Sequence, residues 1–315
     1  ARITPGMAGI ARMRSGRDGW VDRPAGYGAG LGVDPIEKKP FYHVLPGRTA
    51  MSFGMLGCNF HCDFCQNWRS SQALRDRNAD AGPQTCAPER IVRLAVEHDC
   101  PVVVSTYNEP LITADWARDI FKLAVDQGRL CGLISNGHGT HEVIDYLKPC
   151  TRLFNIDLKA FRPESYAQLG GKLDAVLDTI AHAHAAGYWV EVVTLIVPGF
   201  NDADGELADI ARFIASVSVD IPWHCTAYHP DYRCTTAPRT PPATLARAYE
   251  LGQAAGLNFV YSGNLPGLVG QTENTLCPGC RTTLITRQGF TVTANHLDNG
   301  RCPACGRAIP GIWEY

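Results

Sequence analysis

The stretch PVVVSTYNEPLITADWARDIFKLAVDQGRLCGLISN, residues Pro101–Asn136, holds one complete unit of the pattern that decides the fold. Pro101–Tyr107 is an apolar, β-branched run of strand length. Ala114–Gln127 then carries apolar residues at helical spacing, with Thr113 in front of it as a cap. A second apolar run, Leu130–Asn136, follows at once. Strand, helix and strand in that order imply two parallel strands joined by a right-handed crossover.

The unit repeats on both sides. Further strands are predicted at Thr49–Met55, Leu153–Lys159, Trp189–Val197, His224–His229 and Asn258–Ser262. The matching helices are Pro88–Glu97, His141–Leu147, Leu173–Ala186, Gly205–Val217 behind Asp204, and Pro242–Ala255. The fold class is therefore α/β, and six or seven such parallel strands suit a partial or full (β/α) barrel better than a two-sided sheet. In that architecture chemistry sits at the C-terminal ends of the strands, so the polar residues closing each strand are the candidates. Residues 1–48 read as an irregular N-terminal segment, in which Gly26, Gly28, Gly30 and Gly32 alternate without an evident purpose. Residues 49–264 read as the barrel and residues 265–315 as a small C-terminal module.

Composition narrows the class. Lys+Arg is 29 against Asp+Glu 31 in 315 residues, a balance that gives no footprint for nucleic acid or an anionic membrane surface. No apolar run has the length of a membrane span. Arg2, Arg12, Arg14 and Arg17 lie near the start without an apolar core behind them, so no secretory signal is read and the expected location is cytoplasmic. The 13 cysteines are odd in number, which favours thiolates used for metal over a disulfide framework.

Three of them follow the first barrel strand: Cys58-Asn59-Phe60-His61-Cys62-Asp63-Phe64-Cys65, a C-x3-C-x2-C spacing. Three thiolates packed this closely suit an iron–sulfur cluster, and the lack of a fourth nearby cysteine leaves one iron open. The alternatives are a zinc site completed by His61, or unrelated core cysteines.

With this spacing after the first strand of a β/α barrel, residues 49–264 resemble the radical S-adenosylmethionine (SAM) enzymes. The resemblance implies that Cys58, Cys62 and Cys65 hold a [4Fe–4S] cluster whose fourth iron binds S-adenosyl-L-methionine. Reduction then yields a 5′-deoxyadenosyl radical that abstracts hydrogen from substrate. Phe64 falls at a position that commonly lies against adenine. Ser105-Thr106-Tyr107-Asn108-Glu109-Pro110 stands where the family commonly has Gly-Gly-Glu-Pro beside the methionine part, so Asn108 and Glu109 become cofactor contacts. A cap for the next helix is the bland role for Glu109. Ser135-Asn136-Gly137 resembles the Thr-Asn-Gly of glycyl-radical-enzyme activases near the ribose, or is simply an Asn-Gly turn. Asp157 and Lys159 share one side of their strand by its period of two, facing the cofactor or merely pairing. In the activases that Asp serves a monovalent cation; here the companion carboxylate is replaced by Ile134. Ile196 lies on the strand whose backbone contacts adenine, and His229 matches a Tyr-His at the end of the sixth strand.

Cys277-Pro278-Gly279-Cys280 and Cys302-Pro303-Ala304-Cys305 form two knuckles able to close a tetrahedron on one ion. A structural zinc ribbon is expected, with a second iron–sulfur cluster as the rival. Asp34–Pro40 followed by Phe41–Gly47, Thr106–Pro110, and the ending Ile309–Trp313 are similar to radical SAM members of the so-called AmmeMemoRadiSam group, and more distantly to pyruvate formate-lyase activating enzymes. That likeness implies AMMECR-like or Memo-like partners and an electron donor such as flavodoxin or ferredoxin. Activation of a protein glycine is one alternative function. A non-catalytic zinc-binding interaction protein is the alternative from another class.

Overall fold

The structure is a computed structural model that describes residues 8–17 and 20–315. The reading of residues 1–7, Asp18 and Gly19 as irregular lies outside the described residues. An eight-stranded sheet runs through β1 (Gly30–Pro35), β2 (Thr49–Gly54), β3 (Val102–Ser105), β4 (Leu130–Ser135), β5 (Leu153–Asp157), β6 (Trp189–Ile196), β7 (Trp223–Ala227) and β8 (Val260–Gly263). The strands lie side by side in chain order; β1 pairs antiparallel with β2 and every later pair is parallel.

Seven helices make the crossovers. They are α1 (Pro88–Glu97), α2 (Ala114–Asp126), α3 (His141–Leu147), α4 (Pro163–Leu169), α5 (Leu173–Ala185), α6 (Asp204–Val217) and α7 (Pro242–Ala254). Residues closing β2 through β8 line one common cavity, so the sheet is wrapped as a partial (β/α) barrel. Helix α4 is the element that the periodicity did not announce. Pro163 starts it and Gly170, at φ 85°, ends it, and only Tyr166 and Leu169 are large and apolar. The expected caps differ too: Thr113 donates its hydroxyl to the Pro110 carbonyl, and Asp204 is already the first helical residue.

The main core lies between the outer face of the sheet and the helices. Ile91, Phe121, Phe154, Ile180, Ile210 and Trp223 meet there, all fully buried. A second core fills the lower end of the barrel. Ile36, Phe41, Val44 and Leu45 pack there against Ala50, Val102, Val104, Leu130 and Leu153. The chain ahead of β2 is thus a plug, and part of the segment expected to be irregular is the ordered strand β1. The C-terminal module is an antiparallel sheet of β9 (Thr275–Leu276), β10 (Thr283–Gln288) and β11 (Thr291–Asn295). It shares a core with Tyr42, Phe259 and Tyr261, so its apolar face closes on the barrel floor.

Candidate active site

Between Gly54 and the one-turn helix Trp68–Ser71, the chain forms the cysteine loop at the C-terminal end of β2. Gly57 opens it at φ 87°, and a Cβ there would stand 2.7 Å from Met13 Cγ, so this turn admits only glycine. The loop is pinned from behind. Arg75 donates to the carbonyls of Cys58 (2.6 Å) and Phe60 (3.0 Å), and Gln72 donates to Phe60 at 3.1 Å. With its carbonyls engaged there, the loop presents Cys58, Cys62 and Cys65 to a cavity of about 400 Å³.

Cys58 Sγ accepts from the Phe60 amide at 3.3 Å and from Asn136 Nδ2 at 3.7 Å, while Cys65 Sγ lies 3.3 Å from Ser71 Oγ. Burial raises all three thiols, Cys62 to about 12, with Lys159 working in the opposite direction for Cys62 and Cys65. Three sulfurs of this kind, one buried and two half-buried, are matched by a cationic metal centre, which takes the thiolate form. Among the described residues, these three are not gathered within 4.8 Å of one another, as ligands of a single ion would be.

The other strand ends converge on the same space. Phe64, Asn108, Glu109, Asn136, Asp157 and Lys159 all line it. Glu109 is saturated by protein donors: Ser135 Oγ at 2.6 Å, the Asn136 amide at 2.8 Å and the Leu111 amide at 2.9 Å. It therefore caps the next helical turn and ties β3 to β4 at once. Burial nevertheless raises its carboxyl to about 7, against the pull of those hydrogen bonds. Asn108 accepts from the Met55 amide at 2.9 Å, and Asn136 Nδ2 bonds Asn59 Oδ1 at 2.8 Å beside the cysteines. Lys159 Nζ meets Asp157 at 2.8 Å. Its burial disfavours the charge, but Asp157 and Cys62 outweigh that and raise it.

Two expected residues fall elsewhere. Ile196 is fully buried with its side chain off the cavity, which Leu195 and Val193 line instead, and its carbonyl is taken by Thr240 Oγ1 at 2.6 Å. His229 stands outside the cavity lining; the histidine that lines it is His224, five residues earlier on β7.

Tyr107 and its partners were not foreseen. Tyr107 sits at φ 70°, a left-handed conformation that costs a non-glycine residue about 1–2 kcal/mol. Its ring lies in a trough made by the alternating glycines: a Cβ on Gly30 would be 3.0 Å from the ring, and one on Gly32 would be 3.1 Å from its hydroxyl. Lys39 holds the ring, with Nζ 3.2 Å from the Tyr107 hydroxyl, 4.8 Å from the ring centroid and 2.8 Å from Asp34. The signal was present as glycine at every second position of a strand, which leaves one smooth face for a neighbour.

In the C-terminal module, Cys277 Sγ lies 3.6 Å from Cys305 Sγ, and Cys280 Sγ lies 3.6 Å from Cys302 Sγ. All four sulfurs are within 4.8 Å of one another. A Zn–S bond of about 2.3 Å places tetrahedral sulfurs about 3.8 Å apart, so the four fit one ion.

Comparison with known proteins agrees with this geometry. A family model described as the radical SAM superfamily matches residues 53–214. An uncharacterized protein of Methanocaldococcus jannaschii is 37% identical over 312 residues, covering 98% of this chain and 91% of that one. A GTP 3′,8-cyclase of Aquifex aeolicus is 23% identical over 274 residues, 77% of this chain and 80% of the relative. Among solved structures, SuiB of Streptococcus suis bound to its precursor peptide SuiA shares the fold. Its TM-score is 0.55 at 13% identity, covering 74% of this chain and 52% of that one.

Proposed function

The chain belongs to the radical SAM superfamily, and on that premise we propose that it is a radical SAM enzyme whose cluster is held by Cys58, Cys62 and Cys65. When bound, a [4Fe–4S] cluster and S-adenosyl-L-methionine supply a 5′-deoxyadenosyl radical that takes a hydrogen atom from substrate. The observation that carries this reading is the cysteine loop opening onto the cavity where Asn136, Asp157 and Lys159 converge.

The residues of the chain supply position and shelter. Asn136 donates toward Cys58 sulfur and so favours its thiolate. Lys159 keeps a positive charge beside Cys62 and Cys65, offsetting the charge of a thiolate centre. Phe64, packed against Phe200 at a centroid distance of 5.3 Å, walls one side of the cavity and excludes water. Ile36–Leu45 closes the lower end. A cavity of this size with a plugged floor favours a small substrate over a protein loop.

The four C-terminal cysteines bind a structural zinc ion in this reading, supported by their close tetrahedral gathering. Anaerobic reconstitution with iron and sulfide, followed by metal analysis, tests both assignments. About four iron and one zinc per chain are expected, with Cys62→Ala losing iron alone. Zinc at both sites would overturn the enzyme reading.

A further inference from the structure

The geometry points to a substrate subsite on the floor of the cavity, formed by Tyr42 and His224 with Glu191 as a positioning residue, that takes a hydroxyl group of a small uncharged molecule. It rests on the radical SAM reading for the chemistry above it, but not for its own recognition.

Glu191 is fully buried inside the barrel and accepts four donors: the amides of Tyr42 and His43, each at 3.0 Å, Trp189 Nε1 at 2.9 Å and His224 Nε2 at 2.6 Å. Burial works against its charge, but the hydrogen bonds from His224 and Trp189 hold its carboxyl below the ordinary value. A carboxylate with four donors has no proton of its own to give. In its neutral form His224 therefore carries its proton on Nε2, which leaves Nδ1 an acceptor.

Among the described residues, neither His224 Nδ1 nor the Tyr42 hydroxyl has a protein partner, and neither is sealed in the interior. Both residues line the cavity. The Tyr42 ring stands edge-on to His224 at 4.7 Å, Tyr261 stacks on His224 at 5.3 Å, and the Arg287 guanidinium sits 4.3 Å from the Tyr42 centroid. The pair is therefore locked in place. His43, next along the chain, is the contrast: its two nitrogens are taken by the Pro310 carbonyl and the Tyr261 hydroxyl.

An imidazole acceptor and, on the ring whose centroid is 4.7 Å away, a phenol kept protonated by burial offer one acceptor and one donor. An alcohol satisfies both, giving its proton to Nδ1 and accepting from the phenol. A carboxylate would set its lone pairs against Nδ1, and an amine in its charged form would face the Arg287 guanidinium. The two lysines nearby are paired already, Lys39 with Asp34 and Lys159 with Asp157, so neither ammonium awaits an anionic ligand. In register, His224 sits beside Val193 and Tyr261, two residues below Leu195 and Thr226, and so below the strand ends that face the cysteine loop.

Nitrogen-15 NMR of the histidine-labelled holoprotein tests this, with the His224 signals identified by their loss in His224→Gln. The expected spectrum shows Nε2–H and a bare Nδ1 whose resonance moves with glycerol or D-ribose. 1,2-Dimethoxyethane, ethylenediamine and acetate leave it in place. Tyr42→Phe keeps the ring and is expected to weaken glycerol and ribose binding about fivefold, the worth of one neutral hydrogen bond, with the thermal midpoint unchanged. An Nδ1–H tautomer, no response to either alcohol, or an equal response to the ether or charged probes overturns the subsite. So does a resonance moved by S-adenosylhomocysteine alone, which assigns the pair to the cofactor. A chain that takes up zinc but no cluster refutes the radical SAM reading instead, while the same spectra still decide the subsite.

Discussion

Glycine at position 30 exists to admit the ring of Tyr107, and a pair of alanine substitutions separates that cause from ordinary strand packing. In Gly30→Ala the new methyl meets ring atoms at 3.0, 3.4 and 3.6 Å, and the ring is held by Lys39 and Asp34. Overpacking of this degree costs about 1–3 kcal/mol. In Gly54→Ala the methyl instead lies 2.4 Å from the Thr106 carbonyl oxygen, a backbone atom fixed by the Thr106 amide bond to Phe53 at 2.8 Å. That cost is expected at the upper end of the range or beyond. Tyr107→Gly removes the ring and relieves the left-handed strain. In that background Gly30→Ala should become neutral within about 0.5 kcal/mol, whereas Gly54→Ala should remain strongly destabilising. Equilibrium denaturation of the wild type, the three single variants and the two double variants gives the coupling energies. An undiminished cost of Gly30→Ala after removal of the ring would refute the trough, and rescue of Gly54→Ala would refute the backbone assignment.

Three further outcomes follow from the same structure. Arg75→Ala removes donors to the Cys58 and Phe60 carbonyls and is expected to destabilise by about 2–4 kcal/mol and to lower iron uptake, read by denaturation and metal analysis. Glu109 is raised from 4.5 to about 7 in the fold, so the native state binds the extra proton between those values. Its contribution is present below about pH 4.5 and is lost as pH rises through 7, to a limit of about 3 kcal/mol, and Glu109→Gln should flatten that slope in urea titrations of the metal-free chain. Removing zinc, or Cys302→Ser, should loosen the module whose Arg287 bonds the Tyr42 carbonyl at 2.7 Å, so hydrogen exchange should rise at Tyr42 and His43 as well as in β9–β11. Exchange confined to the module would show that the two are not coupled.

The barrel was legible because each β/α unit buries a continuous apolar strand against an amphipathic helix, a pattern carried by neighbouring residues. The cysteine loop was legible because its three cysteines fall within eight positions. Residues brought together from a distance were harder. Glu191 and His224 are 33 positions apart and Tyr42 is 149 positions before Glu191, so no local spacing joins them. Their trace was a single charge inside the apolar run Trp189–Ile196, tolerable there only because four donors surround it. The rule that barrel chemistry sits at strand ends points to His229, but β7 stops at Ala227 and leaves His229 outside the cavity lining. The glycines at 30 and 32 carried no side chain to read; their purpose lies in Tyr107, more than 70 positions on.

Cleavage of S-adenosyl-L-methionine tests the role of Cys58, Cys62 and Cys65 most directly. The anaerobically reconstituted chain, given that cofactor and a low-potential reductant, is predicted to release 5′-deoxyadenosine. Cys62→Ala should release none while still holding zinc at Cys277, Cys280, Cys302 and Cys305. A reconstituted chain that carries iron and sulfide yet forms no 5′-deoxyadenosine, or a Cys62→Ala chain that forms it undiminished, would contradict the central claim.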